Sequence, residues 1–431
     1  MSGCPQVDFR KSIEVDQVAK LRLLLAKLEP SNRFYSFKLR DAKFSGDTLT
    51  LKAFFSKMPF TSKSELIEDQ RNNPPFGSNL TFPLEKYNRF NQTSATTGQS
   101  MIWLDTPETW NWMLSNWNRV YGAANVSVND RVFFGFSFGP FLGFWTAFES
   151  ATGLGLLSIP GGGMSSLGRL KTIIDNKVTV LCCTPTYAIR LGEIAQKNGI
   201  RLSSGRVKKI IVAGEPGGSI SSTINKIQRF WGDVAVFDHH GMTETGPVTY
   251  GCPRRNGILH VMESAFIAEV INPDNERSVS RGELGELILT TLGRVGSPLI
   301  RYRTGDLVKV GASVQCACGT YDLSLEGGIL SRSDDMVIIR GVNLYPSAME
   351  EIVRKFDEVE EYRVEIDTRV TLVEIKVQIE LMPHAHEKSQ IIKEELEAKL
   401  RSIFGIHILV EVVLKGSLPR FEFKSQRWIQ L

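Results

Sequence analysis

Hydrophobic and polar positions alternate in two distinct ways along this chain. Arg131–Phe138 is a short apolar run. Leu167–Lys177 has helical spacing, with Leu167, Leu170, Ile173 and Ile174 on one face. Val178–Cys183 is apolar and β-branched and ends in Thr184-Pro185. Tyr187–Gln196 reads as a helix stopped by Asn198-Gly199, and Lys209–Ala213 as a strand ending in Gly214-Glu215-Pro216. Ile220–Trp231 is a helix, and Val234–Phe237 a strand running into Asp238-His239-His240-Gly241. This β-α-β-α rhythm predicts an α/β fold with mostly parallel sheets covered by helices. The apolar segment Val132–Ile159 is interrupted by glycines, Pro140 and Glu149, and reads as buried strand and loop.

The rhythm changes after about Leu330. Ser347–Phe356 reads as a helix. Thr371–Leu381 alternates with period two, setting Val373, Ile375, Val377 and Ile379 against Leu372, Glu374, Lys376 and Gln378. Glu387–Phe404 is a charged amphipathic helix and Ile406–Leu414 a strand. The expected organisation is a large N-terminal domain, 1–331, and a small α+β C-terminal domain, 332–431.

Composition narrows the function without naming it. The 431 residues are 42% hydrophobic and 23% charged, with a net charge of +4, and 431 residues are too many for one ordinary core. No dense Lys/Arg run points to nucleic acid. No secretory leader and no membrane-spanning run are visible, so a cytoplasmic location is expected. Six cysteines in a chain this long do not make a disulfide scaffold. Cys182 and Cys183 lie in an apolar strand and read as buried thiols. Cys316-Ala-Cys318-Gly319 is a short thiolate pair. With Cys252 and His260 it makes a closed three-Cys, one-His set, the pattern of a structural zinc site.

Three strand ends are polar or rich in Gly and Pro: Thr184-Pro185-Thr186, Gly214-Glu215-Pro216 and His240-Gly241-Met242-Thr243-Glu244. Ligands of open α/β sheets bind outside such carboxyl ends, so one shared crevice is expected. Ahead of them, Thr93-Ser94-Ala95-Thr96-Thr97-Gly98-Gln99 offers hydroxyls and a permissive Gly to phosphate oxygens, though a polar turn explains it as simply. Glu244 can bind Mg²⁺. Arg301-Tyr302-Arg303-Thr304-Gly305-Asp306-Leu307 places a carboxylate in a turn, where it can accept ribose hydroxyls. Ser331-Arg332-Ser333-Asp334-Asp335-Met336 falls at the compositional change, where a hinge is reasonable, and Pro419-Arg420-Phe421-Glu422-Phe423-Lys424 lies near the end.

In this order the five motifs are specific, and the chain resembles the adenylate-forming enzymes, in their phenylacetate–CoA ligase-like branch, from about Phe54 to Lys424. The resemblance implies that Ser94, Thr96, Thr97 and Gly98 wrap the phosphates of ATP. It puts Gly214, Glu215 and Pro216 beside adenine, and His240, Gly241, Met242 and Thr243 in the nucleotide site. Asp306 would hold the ribose, Arg332 would make a second ribose or phosphate contact, Glu244 would hold Mg²⁺, Asp334 would be the hinge, and Lys424 would approach the α-phosphate and the acid during adenylation. It further implies a mobile small domain. Two positions depart from the family loop: Ala95 stands for a Gly and Gln99 for a Lys, so one phosphate-facing cation is missing. His240 replaces a Tyr.

The implied reaction is ATP-dependent activation of a carboxylic acid to acyl-AMP, followed by transfer to a thiol, most simply CoA. Seven aromatic rings between Phe133 and Trp145 favour an aromatic acid. Phe136 and Phe141 are the expected ligand contacts, with Ala213, Gly214 and Gly241 as other walls. Two alternatives stay open: transfer to a carrier protein or an amine, and a non-catalytic nucleotide- or acyl-binding relative, which Ala95 and Gln99 motivate. A homodimer is also left open; no nucleic-acid or membrane partner is expected.

Overall fold

The computed structural model describes residues 9–43, 49–93, 100–332, 337–339, 342–367, 374–421 and 426–431. Ser94, Thr96, Thr97, Gly98, Asp334 and Lys424, with Ala95 and Gln99, lie outside the described residues.

A five-stranded parallel sheet forms where the alternating rhythm predicts it. Its order is Leu157–Pro160, Arg131–Phe134, Val180–Cys183, Lys209–Val212, Ala235–Asp238. Chain order reverses beside Arg131–Phe134, so a crevice opens at the carboxyl ends there. The helices Ser166–Asp175, Pro185–Lys197 and Ser221–Trp231 cover one face. The Pro185–Lys197 helix begins two residues earlier than its apolar spacing indicated. Thr184 caps it by accepting from Tyr187 N–H, and Pro185 sits at the first turn, where its missing N–H costs nothing. Cys182 and Cys183 are buried free thiols.

One expectation fails. The segment 132–159 is not strand and loop throughout, because Leu142–Gly153 is a helix. Glycines at both ends and the lack of a side-chain cap hide it from local reasoning. Tertiary contacts hold it instead: the Pro107–Ala123 helix donates from Trp117 Nε1 to Thr146 Oγ1 at 2.9 Å and from Tyr121 Oη to the Ala147 carbonyl at 2.7 Å.

A second large sheet, unassigned by the sequence pattern, has six antiparallel strands. Their order is Thr249–Gly251, Ile258–Val261, Ser324–Arg332, Tyr302–Val310, Leu284–Thr291, Phe266–Ile271. It shares one core with the parallel sheet: Val132, Phe134, Val180 and Ile211 meet Leu259, Leu287, Leu289 and Val308. The helices Phe9–Ser31 and Arg33–Ala42 pack on the far side through Leu21, Leu24, Leu28 and Tyr35.

The last hundred residues hold a separate core, from Ile339 to Val410. There the helices Pro346–Val353 and Ser389–Phe404 pack on a four-stranded sheet ordered Leu409–Val412, Glu374–Leu381, Val359–Asp367, Trp428–Gln430. Ile375, Val377, Ile379 and Leu381 are buried as period two predicts. Glu380, on the polar face, is buried as well, because Arg420 covers it at 2.7 Å. Polar contacts cross to the parallel-sheet helices: Lys226 Nζ donates to the Val359 carbonyl at 2.8 Å, and Glu351 accepts from Ser222 N–H and Oγ.

The final parallel strand ends in two titratable groups that pull against each other. Burial raises the Asp238 carboxyl to about 6, opposed by a hydrogen bond from Ser219. Burial lowers the His239 imidazole to about 4, with Nδ1 2.7 Å from the Thr249 carbonyl and the ring 4.4 Å from Trp117. Asp238 binds its proton more tightly folded than unfolded, so its contribution to stability grows as pH falls through about 6. His239 binds its proton less tightly, so its contribution is lost as pH falls from its unfolded value of 6.5. Between about pH 4 and 6 the two offset each other. Asp238→Asn leaves His239 unopposed, so the urea midpoint of that variant should fall more steeply on acidification than the parent's. Parallel midpoint–pH curves would rule the opposition out.

Candidate active site

The Tyr302–Val310 strand is anchored before it reaches the crevice. Arg301 adopts φ +45°, a conformation non-glycine residues rarely hold without external restraint. Its guanidinium supplies that restraint: it forks onto Glu269 at 2.9 and 2.8 Å, donates to the Phe55 carbonyl at 2.7 Å, and lies 4.0 Å from the Phe60 ring centroid. Thr61 bridges Arg301 and Arg303 by backbone hydrogen bonds of 2.9 Å.

Within that strand, pairing with Leu284–Thr291 slips between Glu286 and Ile288, opposite Thr304-Gly305-Asp306. Gly305 takes φ +74°, which a side chain would resist, and its N–H donates to Glu286. A bulge of this kind re-aims the next side chain. That side chain is Asp306, and its own N–H is held by Thr304 Oγ1 at 3.0 Å.

Asp306 is 2% exposed, yet three chain segments meet there. His240 Nε2 lies 3.1 Å from Oδ2 and Arg332 Nη1 3.6 Å from Oδ1. Arg332 faces Asp306 in register on the neighbouring strand and reaches the Thr304 carbonyl at 3.4 Å. Glu244 belongs to the same neighbourhood. Burial raises the Tyr302 hydroxyl well above its usual range, and the charges of Glu244 and Asp306 push it the same way while Arg332 opposes them.

Glu244 is 7% exposed and follows the short Gly241-Met242 strand, which pairs with Gly246-Pro247. Met242 packs beside Met101, Trp103 and Tyr302. Lys63 Nζ stands 3.8 Å from Glu244 Oε1. Sequence reasoning passed over this lysine, which lies near no recognised motif. It also passed over Arg294 and Asp105: both are fully buried, and Arg294 holds the carbonyls of Thr243 and Glu244. A buried charge leaves no periodic signature, so only the fold could find these.

The other strand ends close the crevice. Glu215 Oε1 accepts from Thr186 N–H at 2.8 Å, joining two of them, and His239 N–H donates to the Val212 carbonyl at 3.0 Å, joining a third. Gly214 adopts φ +94° after Ala213. Among the aromatic rings, Phe136 is 5% exposed and stacks on Phe144 at 4.1 Å, whereas Phe141 is 37% exposed and meets Phe144 edge-on at 6.4 Å. The two residues chosen from the sequence as ligand contacts therefore differ: Phe136 belongs to the core between the sheets and Phe141 faces outward.

Cys252, His260, Cys316 and Cys318 come together beside the antiparallel sheet, their ligand atoms all within 4.8 Å of one another. Cys252 Sγ and Cys316 Sγ are 3.8 Å apart, and Cys318 Sγ is 3.5 Å from His260 Nε2. Tetrahedral Zn²⁺ with the usual bond lengths has S···S edges of about 3.8 Å and S···N edges of about 3.6 Å. The cluster fits that ion. Gly319, at φ +94°, turns the chain so that its N–H bonds the Cys316 carbonyl at 2.8 Å.

Residues 341–431 match the family profile of the AMP-binding enzyme C-terminal domain. The phenylacetate–coenzyme A ligase of Escherichia coli is 29% identical over 427 residues, covering 96% of this chain and 94% of the relative. That of Thermus thermophilus is 27% identical over 432 residues, covering 96% and 95%. Among solved structures, 2-hydroxyisobutyryl-CoA ligase in the postadenylation state, in complex with R3-HIB-AMP, superposes with a TM-score of 0.91 at 24% identity, covering 100% of this chain and 94% of that one. The same ligase with 2-HIB-AMP and CoA in its thioesterification state gives 0.72 at 25% identity, covering 99% and 90%. The match extends well ahead of Phe54, where the motif resemblance began. Fold, ordered motifs and full-length relatives agree: residues 341–431 carry the AMP-binding enzyme C-terminal domain, and the chain as a whole is similar to the phenylacetate–CoA ligases.

Proposed function

We propose that this protein is an AMP-forming acid–thiol ligase that activates an aromatic carboxylic acid and passes it to coenzyme A. The observation that carries the reading is the convergence of His240 and Arg332 on the buried Asp306, at the carboxyl edge of the parallel sheet.

The reaction needs no Ser or Cys nucleophile. The substrate carboxylate attacks the α-phosphorus of ATP and pyrophosphate leaves; a thiolate then attacks the acyl carbon and AMP leaves. The protein positions the reactants and offsets charge. Asp306 accepts from the ribose hydroxyls, with His240 and Arg332 turning to the nucleotide. Gly214, Glu215 and Pro216 border the adenine, and Gly241, Met242 and Thr243 line the nucleotide floor. Ser94, Thr96, Thr97 and Gly98 contribute hydroxyls and N–H groups to the phosphates. Mg²⁺ bound at Glu244 would neutralise phosphate charge. Lys63 places a further cation beside Glu244. Ala213, Gly214 and Gly241, with the stacked Phe136 and Phe144, give the acyl group a flat apolar surface.

The reading divides the chain into 1–331 and 332–431, turning near Asp334. The fall in TM-score from 0.91 to 0.72 between two states of one ligase supports it, since the larger part is about three quarters of the chain. Residues 252, 260, 316 and 318 hold a structural zinc in this account. No described helix is long and apolar enough to cross a membrane.

Incubation with ATP, Mg²⁺, CoA and aromatic acids should yield the acyl thioester and AMP by mass spectrometry. Lys424→Ala should slow acyl-adenylate formation about 10²–10³-fold and spare thioester formation from preformed adenylate. Equal losses in the two steps would refute that division of labour. Elemental analysis of protein purified without a metal-affinity tag should find close to one zinc per chain, and less than about 0.2 would remove the ion. Cys316→Ser should release the metal and lower the melting temperature, because binding at such a site is folding free energy.

A further inference from the structure

The Arg294–Asp105 pair has no role in the reaction as described so far. Both side chains are fully buried. Arg294 Nε and Nη2 donate to the two Asp105 oxygens at 2.8 and 2.6 Å, and Nη1 donates to the carbonyls of Thr243 at 2.6 Å and Glu244 at 2.8 Å. Four of the five guanidinium N–H bonds are thereby used in a fixed planar fork, with the Trp103 ring centroid 5.1 Å away.

Stability alone is a poor explanation. A buried ion pair gains little over well-packed apolar side chains of similar volume, because removing two charges from water is costly. What the pair does supply is geometry. Two consecutive carbonyls turned to one cation fix the Thr243–Glu244 peptide, and with it the direction in which the Glu244 side chain leaves the backbone. Asp105 ends the Ile102–Asp105 strand, which pairs with Arg89–Gln92, and the hydroxyl-rich segment 93–99 joins these two strands. Thr93 Oγ1 and the Met101 N–H close that join at 2.9 Å. One guanidinium therefore ties the Glu244 segment to the Asp105 end of this strand pair.

We propose that Arg294 and Asp105 are positioning residues that fix the direction of the Glu244 carboxylate, so that a divalent cation on the ATP triphosphate meets it correctly placed. The inference rests on the adenylation reading above. Neither residue touches substrate. Arg294→Lys keeps the charge, but one ammonium cannot fork onto Asp105 and also reach both carbonyls.

The test is calorimetric. In Arg294→Lys, affinity for ATP with Mg²⁺ should fall by about tenfold or more, the usual consequence of losing a residue that orients a metal ligand. Affinity for AMP, which lacks the β- and γ-phosphates, should change less than about twofold, whereas a general loosening of the fold would weaken both. The double variant Arg294→Met/Asp105→Leu leaves no unpaired buried charge and should show the same selective loss. An unchanged MgATP affinity in either folded variant, or equal losses for MgATP and AMP, overturns the proposal. So does failure of both variants to fold, which would assign the pair to the core alone. If the parent protein binds no MgATP, the adenylation reading fails instead, and the two failures are distinguishable.

Discussion

The active-site half of this molecule is organised around one fully buried ion pair, Arg294 with Asp105. It joins chain positions 189 residues apart and draws in the carbonyls of a third segment, 243–244. The same economy recurs nearby: Arg301 locks the entry of the Tyr302–Val310 strand to Glu269 and to the segment around Phe55, and Asp306 gathers His240 and Arg332. Charges this deep are tolerable only when fully paired. The His240–Asp306 contact links the carboxyl edge of the parallel sheet to the antiparallel sheet, above the apolar core the two share.

Function follows from the polar groups that those constraints bring to one edge of the parallel sheet. The parallel sheet supplies strand ends, Thr184–Thr186, Ala213–Pro216 and His239–Glu244. The antiparallel sheet supplies Asp306 by means of a bulge that only a glycine at position 305 accommodates. Neither sheet alone makes the site. The third sheet, with its own core, lies across the parallel-sheet helices through Lys226, Ser222 and Glu351. As a whole the chain superposes better on the postadenylation neighbour than on the thioesterification one.

Much of this was legible in the sequence, for reasons that can be traced. Short apolar runs and helical spacing located the parallel sheet, because its covering helices keep one polar face. The Cys-x-Cys pair, with Cys252 and His260, pointed to a cluster that the fold assembles. The antiparallel sheet was missed because strands such as Leu284–Thr291 and Ile258–Val261 are buried on both faces and lose period two. The Leu142–Gly153 helix was missed because its stability comes from Trp117 and Tyr121, not from its own residues. Lys63 and Arg294 were invisible for a third reason: their partners lie far away in the chain, and a lone Lys or Arg ordinarily reads as surface charge.

The most direct test of the account is exchange of labelled pyrophosphate into ATP across a panel of aromatic acids. Acid activation at the Asp306–Glu244 site predicts exchange that requires both Mg²⁺ and a fitting carboxylic acid, and that proceeds without CoA. Tight ATP binding with no acid-dependent exchange from any acid in the panel would contradict it, and would mark the chain as a nucleotide-binding relative that has lost the chemistry.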